Sequence, residues 1–299
     1  MKTETAPDRR ATLLRKLNCF PMTAQKPIPL LISGIRVDLV TENQALQKRL
    51  LDYFHDFIGQ GPAIARLRAE PLKLPLWEDP DPEFDVRGST VVQRDFVAKR
   101  TQETPAEAIA WLSPGIDDAF HNLLRWFLPP ILLRNQSFLL HGAGVIRDGQ
   151  GYVFFGPSEA GKSTTVSLIT QSDPEAIALG DDGILIQLFQ GQPYVFAAPL
   201  GCGYSRKAPP PLSAPLRGLY SLKQDSNVSV TPLTGSQSVT QLIASVMAVH
   251  FEDDVEMRLD LATQFAQSPG IQELRFCKDP SFWPILKNHG ELDVRTKKY

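Results

Sequence analysis

A glycine-rich segment, GPSEAGKST at 156–164, has the residue types and the spacing of a phosphate-binding loop. Gly156, Gly161, Lys162 and Ser163 fill the pattern G-x-x-x-x-G-K-[ST]. In such a loop the glycines permit a sharp turn and a close approach of the backbone, the lysine reaches the β- and γ-phosphates, and the serine hydroxyl binds Mg²⁺. The segment follows the apolar run YVFF and opens the helical pattern KSTTVSLITQS, so it stands in the context that a nucleotide site requires.

The whole loop is expected to contact the nucleotide, mainly through its backbone. Successive N–H groups from Ser158 to Thr164 would form an anion-binding nest at the positive end of the following helix. The side chain of Glu159 is expected to point to solvent, because the nest uses only main-chain groups. The predicted nucleotide-binding residues are Gly156, Pro157, Ser158, Glu159, Ala160, Gly161, Lys162, Ser163 and Thr164.

Two acids and one histidine could supply the remaining chemistry. Asp181 and Asp182 end the predicted strand AIAL, and Asp181 lies 19 positions after Lys162. Adjacent acids at a strand end can divide two tasks between them, since one orients a metal and the other accepts a proton from an attacking hydroxyl. A pair of solvated turn acids is the structural alternative. His141, in the apolar run SFLLHGAGVI, would by itself be a buried structural histidine.

The elements around these residues favour a mixed sheet. Asp148-Gly149 predicts a tight turn that joins the strand SFLLHGAGVI to the strand YVFF. An antiparallel hairpin that leads directly into the phosphate loop is not a feature of a fully parallel sheet. Further strands are predicted at AIALGDD, GILIQLF, PYVFAAP and GLYSLK, and further helices at SQSVTQLIASVMAVHF and EMRLDLATQFAQ.

Three segments are predicted along the chain: a polar tail at 1–27, a small α/β region at 28–105 and a domain at 106–299 that contains the phosphate loop. The small region includes the helical pattern TENQALQKRLLDYFHDF, for which Thr41 is the expected N-cap. A helix that begins at Asp117 should end or kink at Pro129-Pro130, because proline lacks the N–H that a helix interior needs.

Composition excludes several functional classes. The 299 residues carry a net charge of −2 without a basic stripe, so nucleic-acid binding is not expected. No signal peptide and no membrane-spanning segment are predicted. Cys19, Cys202 and Cys277 have neither disulfide nor metal-site spacing, and a reducing cytoplasm is the expected location.

Taken together, LLHGAGVIRDGQGYVFFGPSEAGKSTTVSLI and ALGDDGILI resemble the catalytic core of the HPr kinase/phosphorylase family, in particular the bacterial HPr kinase-related proteins. The resemblance is best over 138–186 and weaker to about 222. It implies an α/β fold: the curved, mixed-sheet P-loop kinase core that this family shares with phosphoenolpyruvate carboxykinases. The second glycine-bearing signature of the true HPr kinases, which is tied to phosphorolysis, is absent downstream of the Asp pair.

The resemblance also implies residue roles. Asp181 would transfer the proton with His141 beside it, Lys162 would hold the terminal phosphate, and Asp182 and Ser163 would bind Mg²⁺. ATP and Mg²⁺ are the implied cofactors, and homo-oligomers occur among the related kinases. The segment PLGCGYSRK corresponds to a loop beside the active site, where Gly201, Gly203 and Arg206 could contact phosphate or acceptor; a surface loop without function is the alternative.

Three functions remain open from the sequence. The first is a kinase that phosphorylates a Ser/Thr hydroxyl of a protein, a peptide or a small molecule. The second is a P-loop ATPase without a phosphoacceptor, although no LSGGQ-like signature occurs. The third is a non-catalytic protein that senses nucleotide and docks a partner.

Overall fold

The computed structural model describes Arg15, Leu17, Phe20 and residues 25–72, 85–87, 89–93, 95–103, 106–113, 119–200, 211–247 and 254–288. The chain divides into two compact units, Met1–Ile131 and Leu132–Tyr299. In the described residues, no helix is both long and apolar enough to span a bilayer.

The first unit is built on a mixed sheet. Its strand order, within the described residues, is β1-β2-β3-β7-β6-β5-β4, with parallel pairing of β2 with β3 and of β3 with β7 and antiparallel pairing elsewhere. The strands are β1 (Ile28–Ile32), β2 (Ile35–Val40), β3 (Ala63–Pro71), β4 (Asp85–Arg87), β5 (Thr90–Val92), β6 (Phe96–Glu103) and β7 (Ala106–Leu112). The helices are α1 (Gln44–Tyr53), a 3₁₀ turn (His55–Phe57) and α2 (Ala119–Phe127).

Two details of this unit differ from the sequence predictions. Asn43, not Thr41, caps α1, because the Asn43 side chain accepts a hydrogen bond from the N–H of Leu46. Strand β7 pairs with both β3 and β6, so the first sheet continues past the predicted boundary at residue 105. Most of the predicted tail 1–27 lies outside the described residues, but Leu17 and Phe20 are buried in a cluster with Ile109.

Proline ends helix α2 as expected: α2 stops at Phe127, and the short helix α3 (Pro129–Arg134) begins at the first proline. A proline fits the first turn of a helix because its missing N–H has no intrahelical partner there.

The second unit also has a mixed sheet, and that sheet curls. Its order is β11-β9-β10-β14-β13-β12-β8, with β16 beside β14 and β15 beside β16. Its strands are β8 (Ser137–Leu140), β9 (Gly142–Arg147), β10 (Gln150–Phe155), β11 (Ile177–Gly180), β12 (Ile184–Phe189), β13 (Gln192–Ala197), β14 (Ser213–Gln224), β15 (Ser229–Pro232) and β16 (Ile271–Phe276). Its remaining helices are α4 (Lys162–Ser172), α5 (Gly235–Ser245), α6 (Val255–Gln267) and α7 (Phe282–Asn288).

The longest strand of this sheet, β14, connects its antiparallel and parallel parts and follows its curvature. The first residues of β14 pair antiparallel with β13, and its later residues pair parallel with β10 and β16. One hydrophobic cluster, which includes Leu242 of α5 and Phe265 of α6, packs inside the curl. A second cluster packs Ile169 of α4 and Trp283 of α7 on the other face. The sheet is therefore covered on both faces, as expected for an α/β unit.

The predicted strand SFLLHGAGVI is wrong as a single element, since the chain breaks it at His141. Strand β8 pairs with β12, whereas β9 pairs with β10 and β11. Glycine is required just after the break, because a Cβ atom on Gly142 would lie 3.0 Å from the carbonyl oxygen of Phe154. The predicted turn is confirmed: Asp148 and Gly149 have φ of 51° and 69° and join β9 to β10.

Candidate functional site

The phosphate loop leaves the end of β10 and leads into helix α4. Gly156 and Gly161 have φ of 147° and 101°, which favour glycine over residues with a side chain. A Cβ atom on Gly161 would also lie 3.0 Å from Cζ of Phe276. The loop thus packs directly against the end of β16, and both glycines of the motif are required by its geometry.

Lys162 is buried inside this loop, with a relative exposure of 7%. Its ammonium group donates hydrogen bonds to the carbonyl oxygens of Gly156 at 3.1 Å and Pro157 at 2.9 Å. Burial lowers the pKa of Lys162, and the negative charges of Asp182 and Asp181 oppose that shift. The loop therefore holds a poorly hydrated cation beside two acids.

Glu159 lies in the left-handed region, at φ 64°, and its backbone is contacted from another strand. The side-chain amide of Gln224, at the end of β14, donates to the carbonyl oxygen of Glu159 at 2.9 Å. The Glu159 side chain itself is exposed. The backbone conformation of the loop is therefore supported by a residue 65 positions away in the sequence.

The acid pair lies against the phosphate loop, and each acid has its own polar partner. The hydroxyl of Ser163 donates to Oδ1 of Asp181 at 2.7 Å. Nε2 of His141 lies 2.7 Å from Oδ1 of Asp182. The resemblance had implied the crossed arrangement, with His141 beside Asp181 and Ser163 working with Asp182.

Backbone geometry turns these two acids in different directions. Asp181 follows Gly180, which ends β11 with φ of 157°, and Asp182 has φ of 64° in the left-handed region. The backbone N–H of His141, between β8 and β9, donates to the carbonyl oxygen of Ser245 at 2.8 Å. The break between these strands therefore positions the imidazole at Asp182.

These residues line one open cleft of about 670 Å³. The described lining side chains include four carboxylates and two lysines, so the cleft carries more negative than positive charge. The residues that line the cleft are His141, Ser158, Glu159, Gly161, Lys162, Ser163, Thr164, Asp181, Asp182, Gln224, Asp225, Phe276, Cys277 and Lys278. Of the predicted loop residues, Gly156, Pro157 and Ala160 are not among those that line this cleft.

The sequence did not indicate the wall formed by Gln224, Asp225 and the segment Phe276–Lys278. These residues lie at the ends of β14 and β16, which run parallel to β10, so the same sheet edge presents all three strand ends. No local motif marks such residues, since only the strand order brings them to the loop. Gly201, Gly203 and Arg206 of the predicted acceptor loop lie outside the described residues.

Comparison with solved structures shows distant similarity to part of this chain. Among solved structures, the HPr(Ser) kinase/phosphatase from Coxiella burnetii is similar at 11% identity and a TM-score of 0.29, over 52% of this chain and 98% of that chain. No protein-family model and no curated protein sequence matches. A TM-score and an identity this low establish neither a fold type nor an activity for this chain.

Proposed function

We propose that the chain is an ATP- and Mg²⁺-dependent kinase that phosphorylates a hydroxyl group of a protein, a peptide or a small molecule. The observation that carries the proposal is the convergence in one cleft of Lys162 in its glycine loop, the Ser163–Asp181 pair and the His141–Asp182 pair. These are the groups that phosphoryl transfer needs: a phosphate cradle, a metal site and a proton acceptor.

The loop fits a nucleotide polyphosphate. Its lysine is desolvated and its glycines leave no side chain between backbone and ligand, so an anion bound there would replace the missing hydration of the ammonium group. ATP would supply the phosphoryl group. Lys162 and the loop N–H groups would hold its phosphates.

The Ser163–Asp181 pair fits Mg²⁺. The metal in phosphate-loop proteins is held by the loop Ser/Thr and an acid at a strand end, and phosphate oxygens and water complete its coordination. The described residues contain no group of three or more His, Cys, Asp or Glu arranged as a metal site, and this mode of binding needs only two protein oxygens. The negative balance of the cleft also favours a polyphosphate that arrives with a divalent cation.

The His141–Asp182 pair is the proposed proton acceptor. Asp182 would accept the proton of the incoming hydroxyl group while the hydroxyl oxygen bonds to the terminal phosphorus of ATP and ADP leaves. His141 holds one carboxylate oxygen, which fixes the orientation of the other. This assignment exchanges the roles that the resemblance gives to Asp181 and Asp182.

Transfer of label from [γ-³²P]ATP to lysate proteins or to a panel of alcohols tests the proposal. Asp182→Asn should lower transfer by about 10³-fold with nucleotide binding retained, whereas Asp181→Asn should raise the Mg²⁺ concentration that transfer requires. Glu175→Gln, which changes an exposed acid outside the cleft, is the control. Hydrolysis of ATP by the wild type without any labelled product would support an ATPase instead, and nucleotide binding without turnover would support a sensor.

A further inference from the structure

One wall of the phosphate-loop cleft has no part in the proposed proton transfer or metal binding. This strand-end wall consists of Gln224 and Asp225, at the end of β14, and of the segment Phe276–Lys278, at the end of β16. The backbone N–H of Asp225 donates to the carbonyl oxygen of Phe276 at 2.9 Å. The two strand ends therefore form one continuous surface, which Gln224 joins to the phosphate loop through its hydrogen bond to Glu159.

The strand order sets the strand-end wall opposite the two acids. Asp181 and Asp182 follow β11, whereas the wall follows β14 and β16, and β10 with its phosphate loop lies between these two groups of strands. Neighbouring strands are about 4.8 Å apart, so the end of β16 lies roughly 10 Å from the end of β10. The cleft therefore extends from the acids, across the loop, to the strand-end wall.

The geometry of phosphoryl transfer decides which part of ATP faces this wall. The attacking oxygen and the leaving oxygen lie roughly in line, on opposite sides of the phosphorus. With Asp182 as the proton acceptor, the attacking oxygen lies on the side of the acids. The leaving ADP then lies on the other side of the phosphorus, toward β14 and β16. An acceptor bound at the strand-end wall would approach from the leaving side, where in-line attack is not possible.

Asp225 has capacity for hydrogen bonds from a ribose. Its side chain is 29% exposed. Oδ1 is bound within its own turn, by the N–H of Asn227 at 3.1 Å and the hydroxyl of Ser226 at 3.4 Å, and Oδ2 accepts from Arg275 at 3.3 Å. The N–H of Asn227, followed by Arg275, lowers the pKa of Asp225, so the carboxylate is charged at neutral pH. Each carboxylate oxygen has two lone pairs, and Oδ2 therefore has room for a hydroxyl donor.

We propose that the strand-end wall binds the nucleoside half of ATP, with Asp225 accepting a hydrogen bond from the ribose hydroxyls. The inference rests on the proposed kinase function, because in-line transfer gives the direction in which ADP extends. An acid at the end of a strand beside the phosphate-binding strand holds ribose in the same way in dinucleotide-binding folds. The base would lie over Cys277 and Lys278, where the stem of the exposed lysine can cover it.

Titration of the full chain with three probes in the presence of Mg²⁺ tests this wall: adenylyl imidodiphosphate, its 2′,3′-dideoxy form and inorganic tripolyphosphate. The wild type should bind the ribose form about tenfold more tightly than the dideoxy form, as expected for a hydrogen bond to a charged group. Asp225→Ala should remove this difference. Asp225→Asn, which keeps an oxygen for the N–H of Asn227, should reduce it. Asp260→Asn, which changes an exposed acid on α6 outside the cleft, is the matched control and should preserve it.

The deciding quantity is the ratio of the two nucleotide affinities, because a distortion of the phosphate loop would lower both and leave their ratio unchanged. A ratio that stays at the wild-type value in Asp225→Ala and Asp225→Asn would overturn the inference. Equal binding of the two nucleotides by the wild type would also overturn it, and tripolyphosphate binding that is lost in Lys162→Met would then leave the phosphate site intact. No binding of any probe would overturn both proposals. Phosphotransfer is measured separately with labelled ATP, so the kinase assignment can fail while the ribose effect remains.

Discussion

Two aspartate sites in the second unit show how the same side chain serves structure in one place and chemistry in another. Asp173, which follows helix α4, accepts hydrogen bonds from Arg147 Nε at 3.0 Å and from Trp283 Nε1 and Lys287 Nζ at 2.9 Å each. Asp181 and Asp182, which follow β11, contact a hydroxyl and an imidazole instead.

The two sites differ in exposure and in how far cations of the fold neutralise the carboxylate charge. The side chain of Asp173 is 9% exposed and is neutralised by cations within the fold, so it ties α4 to β9 and α7. The side chain of Asp182 is 29% exposed in a cleft where carboxylates outnumber lysines. An acid held inside the fold by several cationic and N–H donors is structural, whereas acids that face a cleft rich in carboxylates can bind a cation or accept a proton.

The largest expected effect is on catalysis by the cleft acids. Asp182→Asn should lower phosphotransfer by about 10³-fold, because an amide cannot accept the proton. Its free energy of unfolding should change by less than ~1 kcal/mol, since the side chain is partly exposed. Labelled transfer and thermal unfolding measure the two quantities. A stable variant with full activity would remove Asp182 from the mechanism.

For Asp173→Ala we expect a loss of stability without a loss of nucleotide affinity. Removing the carboxylate takes away the shared hydrogen-bond acceptor of Arg147, Trp283 and Lys287, so the variant should be about 1–3 kcal/mol less stable. Nucleotide affinity of the folded fraction should not change, because Asp173 does not line the cleft. Urea unfolding and nucleotide titration check the pair of results. Loss of nucleotide binding with unchanged stability would contradict the structural role assigned to Asp173.

The pH dependence of the free energy of unfolding should also distinguish Asp173 from the two cleft acids. The Trp283 indole N–H, followed by Lys287 and Arg147, holds the pKa of Asp173 well below its usual range. A carboxyl whose pKa is lower in the folded state stabilises the fold above its unfolded pKa, about 4, and loses that contribution as pH falls through the folded pKa. Unfolding below about pH 4 should therefore be less steep with pH in Asp173→Asn than in the wild type. An identical pH dependence would contradict the assignment.

The smallest expected effect concerns the support of the phosphate loop. Gln224→Leu removes the hydrogen bond to the Glu159 carbonyl oxygen, worth roughly 0.5–1.5 kcal/mol, so nucleotide affinity should fall a few-fold. Gln224→Asn keeps the amide on a shorter side chain and should lie between that variant and the wild type. Nucleotide titration measures both. An unchanged affinity in Gln224→Leu would show that the loop holds its conformation without this contact.

The sequence predicted the features that are determined by residues close together in the chain. The phosphate loop, its flanking strand and helix and the Asp148-Gly149 turn are encoded by neighbouring residues, and the structure has them where they were predicted. The break at His141 was missed because β8 and β9 pair with different partners, which only the folded sheet determines. For the same reason no local pattern could show that Gln224 and Phe276 reach the loop.

The pairing of the two acids is also non-local. Adjacent residues in a motif carry no information about which of them faces His141, because that depends on the left-handed backbone at Asp182 and on the position of the break between β8 and β9. The resemblance named the same residues but assigned proton transfer to Asp181 and Mg²⁺ binding to Asp182.

Titration of a nonhydrolysable ATP analogue at several Mg²⁺ concentrations tests the central claim most directly, because it needs no knowledge of the acceptor. We expect the wild type to bind the analogue in a Mg²⁺-dependent manner. Asp181→Asn should lose roughly tenfold or more of that affinity, and Asp182→Asn should keep it within about threefold. No binding by the wild type, or equal losses in the two variants, would contradict the proposed division between a metal-binding acid and a proton-accepting acid.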